Sequence, residues 1–285
     1  MKIIQSIRLS VVFLFPVALV AQGADTTAVA VPSKLERAAF ESTSLIESQS
    51  SVLNTKGTLE LTMNHRFGIV NSGPQSNDFF GIWAPSNIRL ALDYAIFDRL
   101  TVGFATIKDD RLQDFSMKAA LLRQTRDGKM PLSITYFGNA TMDGRPSALF
   151  LHPSDRWSFY NQLIFARRFS SNFSLQIAPS IGHMNYVEAP VENNIIAVEL
   201  GGRIKITPTM SFLFDYNQPI TTYFKENTKP GMGAGFEFST GSHAFQLFVT
   251  NYKTLSEQHN VLTNQNDFFD GKYLIGFNIT RLWHL

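Results

Sequence analysis

The sequence predicts an all-β protein, a closed antiparallel transmembrane β-barrel of about twelve strands with short periplasmic turns and long outer loops. Three observations support this prediction. From Gly57 onward, apolar and polar residues alternate with a period of two, as in strands that have one apolar face. The segments between these strands are alternately long and short. The last alternating segment, residues 272–285, continues to the final residue of the chain.

The first residues have the three parts of a cleaved signal peptide, predicted to span residues 1–23. Lys2 and Arg8 supply positive charge, residues 11–20 are apolar, and residues 21–23 form a small-x-small cleavage site. The apolar run is shorter than the ~20 residues that a membrane-spanning helix needs. The chain has no Cys, which excludes a lipoprotein anchor, a disulfide framework and Cys-ligated metal sites.

Charge gives no sign of a nucleic-acid partner. The chain holds 25 Lys and Arg against 23 Asp and Glu, and loss of Lys2 and Arg8 with the signal leaves 23 of each. A chain without net charge lacks the basic excess that nucleic-acid binding needs. The sequence therefore predicts an exported protein of the outer membrane, with membrane lipid as its expected partner.

Two parts follow the signal peptide. Residues 24–57 are mixed in polarity and are predicted to be an N-terminal periplasmic segment, with a short helix indicated around residues 34–40. Residues 58–285 form the predicted barrel. The sequence leaves open whether residues 24–57 remain outside the barrel or plug it.

The connections set the expected orientation, because outer-membrane barrels have tight turns on one side and longer loops on the other. The Asp127-Gly128 pair in one connection is a strong hairpin signal. The predicted short turns are 97–99, 125–130, 169–171, 207–209 and 240–242, and the predicted long loops are 69–86, 107–114, 139–156, 182–194, 217–230 and 252–271.

A soluble β-sandwich is the alternative architecture, since it also contains short alternating strands. The strands here are mostly about ten residues long, which matches a tilted bilayer crossing. Aromatic residues such as Trp157, Tyr216 and Trp283 lie near strand ends, where a barrel has its interfacial girdles. The last strand resembles the C-terminal strand of outer-membrane proteins, although Leu285 stands where Phe is more usual. These features favour the barrel.

Several stretches carry a resemblance to a known family. They are residues 39–40, 45–46, 64–68, 88–90, 93–94, 98–103, 121–124, 135–138, 243–247 and 276–281. Together they resemble a Gram-negative outer-membrane β-barrel family known as a domain of unknown function, family 5777. The resemblance implies an outer-membrane barrel. It implies no activity, cofactor or catalytic residue.

If the apolar strand faces meet lipid, the opposite faces line the lumen and carry charges of both signs. These charges must pair or stay hydrated. One interpretation is a hydrogen-bonded filling that closes the barrel, and the other is a narrow polar pore. A twelve-strand barrel is compatible with both. The charged lumen candidates are Arg66, Arg89, Asp93, Lys118, Glu199, Arg203, Lys205, Asp215 and Glu237, with Glu60 and Arg168 on the same faces.

An enzyme is the competing class, and the sequence offers little for it. Among the six His, the neighbours that suggest a catalytic pair are those in Asn64-His65 and Ser242-His243. Adjacent strand residues point to opposite faces, so neither pair acts together directly. The nucleophile-elbow and zinc-protease motifs are missing from the sequence. We therefore expect no catalytic residues, no metal and no cofactor.

The function predicted from the sequence is a narrow passive pore for small polar solutes in the cell outer membrane. The alternative is a structural or partner-binding barrel with a plugged lumen, and an outer-membrane hydrolase is disfavoured. Aromatic pairs in the long loops, at residues 79–80, 223–224 and 268–269, together with Trp83, are expected to fold inward over the mouth rather than form a contact surface.

Overall fold

A computed structural model of the chain describes residues 33–70, 78–188, 191–221 and 228–285. The predicted signal peptide and residues 24–32 lie outside this part of the chain. The fold is all-β: twelve antiparallel strands form one closed barrel, as predicted. Every strand pairs with its sequence neighbours, and the first barrel strand pairs with the last to close the ring.

The barrel strands are β3 (Thr58–Ile69), β4 (Asn87–Phe97), β5 (Leu100–Ile107), β6 (Gln113–Leu122), β7 (Ser133–Met142), β8 (Trp157–Arg168), β9 (Phe173–Met184), β10 (Asn194–Lys205), β11 (Met210–Pro219), β12 (Gly231–Thr240), β13 (His243–Thr250) and β14 (Leu274–His284). Before them, β1 (Ser44–Leu45) and β2 (Ser48–Gln49) form a separate two-stranded sheet. The helix α1 spans Glu257–Thr263, and short 3-10 turns lie at Asp109–Arg111, Ser147–Leu149 and Pro153–Arg156.

The period-two pattern places polar residues inside the barrel and apolar residues outside. In β3, Glu60 and Arg66 are buried, whereas Leu61 between them faces outward and is partly exposed. Outward side chains such as Leu92 and Ile177 remain about half exposed. An apolar belt of this kind is what a membrane-spanning barrel presents to lipid, since its backbone polar groups are all paired along the closed sheet.

The connections differ in one respect from the predicted alternation. One end of the barrel carries connections 98–99, 123–132, 169–172, 206–209 and 241–242, and we call it the short-turn end. The opposite, long-loop end carries 70–86, 108–112, 143–156, 185–193, 220–230 and 251–273. The connection 108–112 is shorter than 123–132, because β6 begins and ends earlier than the sequence pattern indicates.

No helix in the described ranges has the length and apolar character needed to cross a membrane. The prediction of a short helix around residues 34–40 is wrong, because these residues are not helical. Leu35 instead forms an isolated bridge with Thr125, so the turn 123–132 holds this segment in an extended form. The Lys34 carbonyl, which a helix would pair internally, accepts a bond from the Arg126 N–H, and the Glu36 N–H donates to the Gln124 carbonyl.

Candidate functional site: the closed lumen

Residues 33–57, which we call the plug, enter and leave the barrel at its short-turn end. On the way in, Ser33 bonds Asp127 and the Glu36 backbone N–H bonds the Gln124 carbonyl. On the way out, the Lys56 backbone N–H bonds Asp98. Between these points the chain turns back at the β1–β2 hairpin. The plug therefore occupies the lumen as a hairpin with both of its ends anchored at the same mouth.

Arg66 of β3 anchors the hairpin tip. Its Nε donates to Glu47 of the plug at 2.5 Å, and its other nitrogens donate to the Ile46 carbonyl and to Asn278 Oδ1. The guanidinium also lies 4.5 Å from the ring centre of Phe248. The side chain is only 1% exposed. A charge buried this deeply needs its partners, so the hairpin tip and Arg66 depend on each other.

The ion pairs between plug and wall all have the same sense, with the acid on the plug and the base on the wall. Glu47 pairs with Arg66. Glu41 pairs with Arg203 at 3.1 Å and with Lys205 at 3.7 Å. The plug thus supplies the counter-charges for three of the cations on the inner wall.

The plug satisfies the wall carboxylates in a different way, through uncharged donors. Ser42 donates to Glu237 at 2.5 Å. Ser48 Oγ and the Glu47 backbone N–H donate to Asp215, at 3.1 and 3.0 Å. Thr43 and Asn54 donate to Glu60. In the other direction, Lys118, Gln176, Gln246 and Asn278 donate to plug backbone carbonyls.

One apolar contact adds to these polar bonds. Phe40, Leu45 and Ile46 of the plug pack against Leu213 and Phe248 of the wall, with Ala39 and Ala166 completing the cluster. Gly201 and Gly233 give the hairpin room, because a Cβ on Gly201 would lie 2.7 Å from Leu45 and one on Gly233 would lie 2.8 Å from Ile46. The fit of the tip therefore depends on small wall residues as well as on bonds.

A second segment closes the lumen from the long-loop end. Residues 251–273, which we call the inner loop, carry α1 into the barrel, where it packs against β8, β9 and β10. Val261 and Leu262 join an apolar cluster with Tyr160, Ile164 and Ile195 of the wall. Gln258 donates to Ser158 at 2.9 Å. The inner loop is thus held by an apolar cluster together with hydrogen bonds, whereas the plug also forms ion pairs with the wall.

The two segments meet at Glu257. Its carboxylate accepts bonds from Gln49 of the plug and from Asn139 of the wall, both at 2.9 Å. Glu47, Gln49 and Glu257 line a cavity of about 60 Å³ with Arg89 and Asp93 among the wall residues. A cavity of this size holds a few water molecules and is too small for an organic solute.

Burial changes the titration of the groups that the two segments bring inside. It raises the pKa of Glu47 to about 7, against the lowering effect of Arg66. It also raises the pKa of Glu257. Burial lowers the pKa of His259 on α1, although nearby acids oppose this. The interior therefore favours the uncharged form of each of these side chains.

All nine charged residues predicted to line the lumen lie on the inner face. Arg66, Arg203 and Lys205 form ion pairs with the plug, and Lys118, Asp215 and Glu237 bond to it. Glu199 instead accepts bonds from Gln162 and Gln176, Arg89 pairs with Asp114, and Asp93 lines the small cavity. Arg168, at the short-turn mouth, donates to carbonyls of Ser170, Ser171 and Ala38.

Sequence reasoning missed the residues on the closing segments, namely Glu41, Glu47 and Glu257. The sequence nevertheless contains a signal that the lumen is filled, which is the presence of apolar residues on the inner strand faces. Tyr160, Ile164, Leu213 and Phe248 occupy inward positions and are apolar, which a water-filled lumen does not favour. Each of the four belongs to an apolar cluster that includes residues of the plug or the inner loop. Apolar residues at inward positions thus mark where a barrel is filled.

The expected infolding of the loop aromatics is wrong for Phe79, Phe80, Trp83 and Phe269, whereas Phe268 is half-buried. Trp83 is 70% exposed and Phe269 is 82% exposed, and Phe79 and Phe80 also face outward. These rings pack on one another, with Phe79 stacked 5.5 Å from Trp83, so they bury apolar surface without turning inward. Residues 223–224 lie outside the described part of the chain. In that part, no three His, Asp or Glu side chains are arranged to hold a metal ion.

The closed ring of strands, the apolar outer belt and the polar inner wall define a membrane β-barrel. The sequence matches the membrane-bound β-barrel domain family DUF5777 over residues 40–283, which includes most of the plug and nearly the whole barrel. The chain belongs to this family. No curated protein matches the sequence.

Among solved structures, the NanC porin superposes with a TM-score of 0.50 at 7% identity, over 80% of this chain and 99% of the porin. The COG4313 outer membrane channel from Pseudomonas putida F1 superposes with a TM-score of 0.45 at 13% identity, over 81% of this chain and 97% of the channel. At such identities the match to the porin shows a shared barrel fold.

Proposed function

We propose that the protein is an outer-membrane channel for small polar solutes that its own plug and inner loop hold closed. After removal of residues 1–23 the barrel lies in outer-membrane lipid, with the short-turn end toward the periplasm. The observation that carries this proposal is the polar inner wall. The plug is bound to it chiefly through hydrogen bonds and ion pairs, which water replaces when a segment withdraws.

The chemistry of the plug supports a closed channel over a permanent filling. Charges are costly to bury, and replacing a buried ion pair with apolar groups is often neutral or stabilising. A barrel that only needed filling would gain nothing from Arg66, Arg203, Asp215 and Glu237 on its inner wall. These residues have a use when the lumen is hydrated, because they then face solvent and solute.

The second candidate function is a structural or partner-binding barrel that stays filled. The apolar contact of Phe40, Leu45 and Ile46 with Leu213 and Phe248 favours it, since this cluster resists hydration. The two candidates differ in whether the plug ever leaves.

A reversible cross-link decides between them, because the chain has no Cys of its own. A Cβ on Gly233 would lie 2.8 Å from Ile46 Cγ2, so the two Cβ atoms are at most about 4.3 Å apart, within the disulfide range of ~3.5–4.5 Å. We expect the double variant Ile46→Cys, Gly233→Cys to show no conductance steps in a planar bilayer when oxidised. Reduction should restore the steps seen with the wild type.

Each single Cys variant serves as a matched control. Gly233→Cys alone reports the effect of crowding Asp215, whose Oδ1 lies 2.3 Å from the added Cβ position. Ile46→Cys alone reports the loss of apolar packing. Silence of both the wild type and the reduced double variant would favour the filled barrel, whereas steps that persist in the oxidised double variant would show that the plug does not close the lumen.

A further inference from the structure

The short-turn mouth contains a cavity beside the plug that the closing contacts do not fill. It measures about 620 Å³, and Arg37, Glu41, Arg168, Lys205 and His243 are among its lining residues. A cavity of this size accommodates a small organic molecule. Arg37, Arg168 and Lys205 carry positive charge, against the two lining carboxylates of Glu41 and Glu60, and this excess favours an anion.

Glu41 occupies this basic mouth in an unusual way. Its side chain is 42% exposed, yet one carboxylate oxygen bonds both Arg203, which is 3% exposed, and Lys205, which is 28% exposed. A half-exposed acid thus provides the counter-charge of a buried guanidinium. Such a contact exchanges readily, because solvent already reaches the acid while the base cannot leave.

Arg203 has capacity for a further bond. Its Nη1 forms the ion pair with Glu41 and donates to the Ala39 carbonyl, whereas its Nε is buried and has no hydrogen-bond partner within the described residues. A guanidinium binds a carboxylate best through two parallel N–H groups. The backbone of the plug holds Glu41 to a contact through Nη1. Arg203 does not itself line the cavity, so a free carboxylate reaches it in the position that Glu41 leaves.

We propose that the mouth is a binding site for a small organic carboxylate, which takes the place of Glu41 on Arg203 and Lys205. In the closed state Glu41 is a built-in competitor for this ligand. Binding removes one anchor of the plug at the mouth from which the plug enters. The consequence of binding rests on the proposed channel function: the carboxylate that binds at the mouth itself favours opening of the channel.

An attached competitor lowers the apparent affinity for a free ligand, because only the fraction of molecules with Glu41 displaced can bind. Removing the competitor should therefore tighten binding. We expect Glu41→Gln to bind succinate roughly tenfold more tightly than the wild type, measured by calorimetry on the mature full chain in lipid-free detergent. Lys205→Gln should weaken succinate binding at least tenfold relative to the wild type, and Arg203→Gln should abolish it.

Lys129→Gln is the matched control, because it removes one positive charge at the same end of the barrel, from a side chain that is 75% exposed and pairs with Asp127. It should leave succinate affinity unchanged. A shift in gel mobility on heating confirms that each variant is folded, and Lys205→Gln remains informative if Arg203→Gln fails to fold. Glucose, which has a similar size and no charge, should not bind.

Equal succinate affinity in Glu41→Gln and the wild type, or no binding in either, would overturn the proposal. Equal weakening by Lys129→Gln would reduce the effect to general charge and would also overturn it. These binding measurements need no open pore, so they separate this inference from the channel function. A barrel that binds succinate as expected but never conducts would retain the site and lose the channel.

Discussion

Arg66 and Glu47 show how a single pair can hold a chain segment inside a barrel. Arg66 is fixed on β3 and stacked on Phe248, while Glu47 is brought to it by the turn between β1 and β2. Both are removed from water, so each alone would carry a large desolvation cost. Docking of the plug is therefore linked to the protonation state of Glu47.

The direction of this linkage follows from the pKa of Glu47. Burial raises it from the ordinary 4.5 to about 7, so the folded state binds the proton more tightly than the unfolded state does. The stabilisation from this group is fully present below pH 4.5 and is lost as the pH rises through about 7. The plug should consequently be held more firmly at pH 5 than at pH 8.

We expect Glu47→Gln to remove most of this pH dependence, because the amide does not titrate. The wild type should lose on the order of 1–3 kcal/mol of stability relative to Glu47→Gln between pH 5 and pH 8. Melting temperatures of both proteins at the two pH values give this difference. Comparing the two proteins cancels the titrations that they share. One of these is the titration of His259, whose lowered pKa makes stability rise with pH. Parallel pH profiles would contradict the assignment.

At the scale of elements, β12 is adapted to the segments it faces. A Cβ on Gly231 would collide with the ring of Tyr252 in the inner loop, and one on Gly233 would press on Ile46 of the plug. The sequence run Gly-Met-Gly-Ala-Gly therefore marks a strand whose inner face leaves room for both closing segments. It is a packing feature.

We expect Gly233→Ala to loosen the plug while leaving the barrel intact. The added methyl group must displace Ile46 or Asp215, and overpacking of this kind typically costs ~1–3 kcal/mol. Limited proteolysis should cut within residues 33–57 faster than in the wild type, with the mobility shift on heating retained. Ala234→Gly, a small change at the neighbouring outward position, is the control. Equal cleavage of the two variants would show that the tip tolerates the methyl group.

The elements differ in how well they can be predicted from the sequence. Barrel strands follow from alternation alone, because each residue of β3 must face either lipid or lumen. The plug has no such pattern, since its course is set by contacts with side chains far away in sequence. Glu47 and Arg66, for example, are brought together by a turn and not by a repeat. The alternation predicts nine charges on the inner faces of the strands, whereas no pattern marks their partners on the plug and the inner loop.

At the scale of the whole molecule, two segments close the lumen of the barrel, the plug and the inner loop. The plug fills it from the short-turn end and forms ion pairs with the wall, and the inner loop fills it from the long-loop end, where α1 packs in an apolar cluster. Gln49 and Glu257 join the two. Since the segments lie one above the other along the lumen, they act as two closures in series, and displacement of one leaves the path blocked by the other.

This arrangement predicts a strongly non-additive effect on conductance. Leu262→Asp places a charge in the apolar cluster of α1 and should expel the inner loop, because an unpaired buried charge costs several kcal/mol. Deletion of residues 33–50 removes the hairpin. We expect each change alone to leave conductance in a planar bilayer near the wild-type level, and the two together to give large, steady steps.

The control for expulsion is Thr263→Asp, which adds the same charge at an exposed position of the same helix and should have no effect in either background. Full conductance from the deletion alone would mean that the inner loop does not obstruct the lumen. Full conductance from Leu262→Asp alone would mean that the plug does not obstruct it.

Because the closures differ in chemistry, salt should also distinguish them. High ionic strength weakens the exposed Glu41 contacts and leaves the packing of Val261 and Leu262 unchanged, so salt-dependent opening is expected in Leu262→Asp and not in the deletion variant.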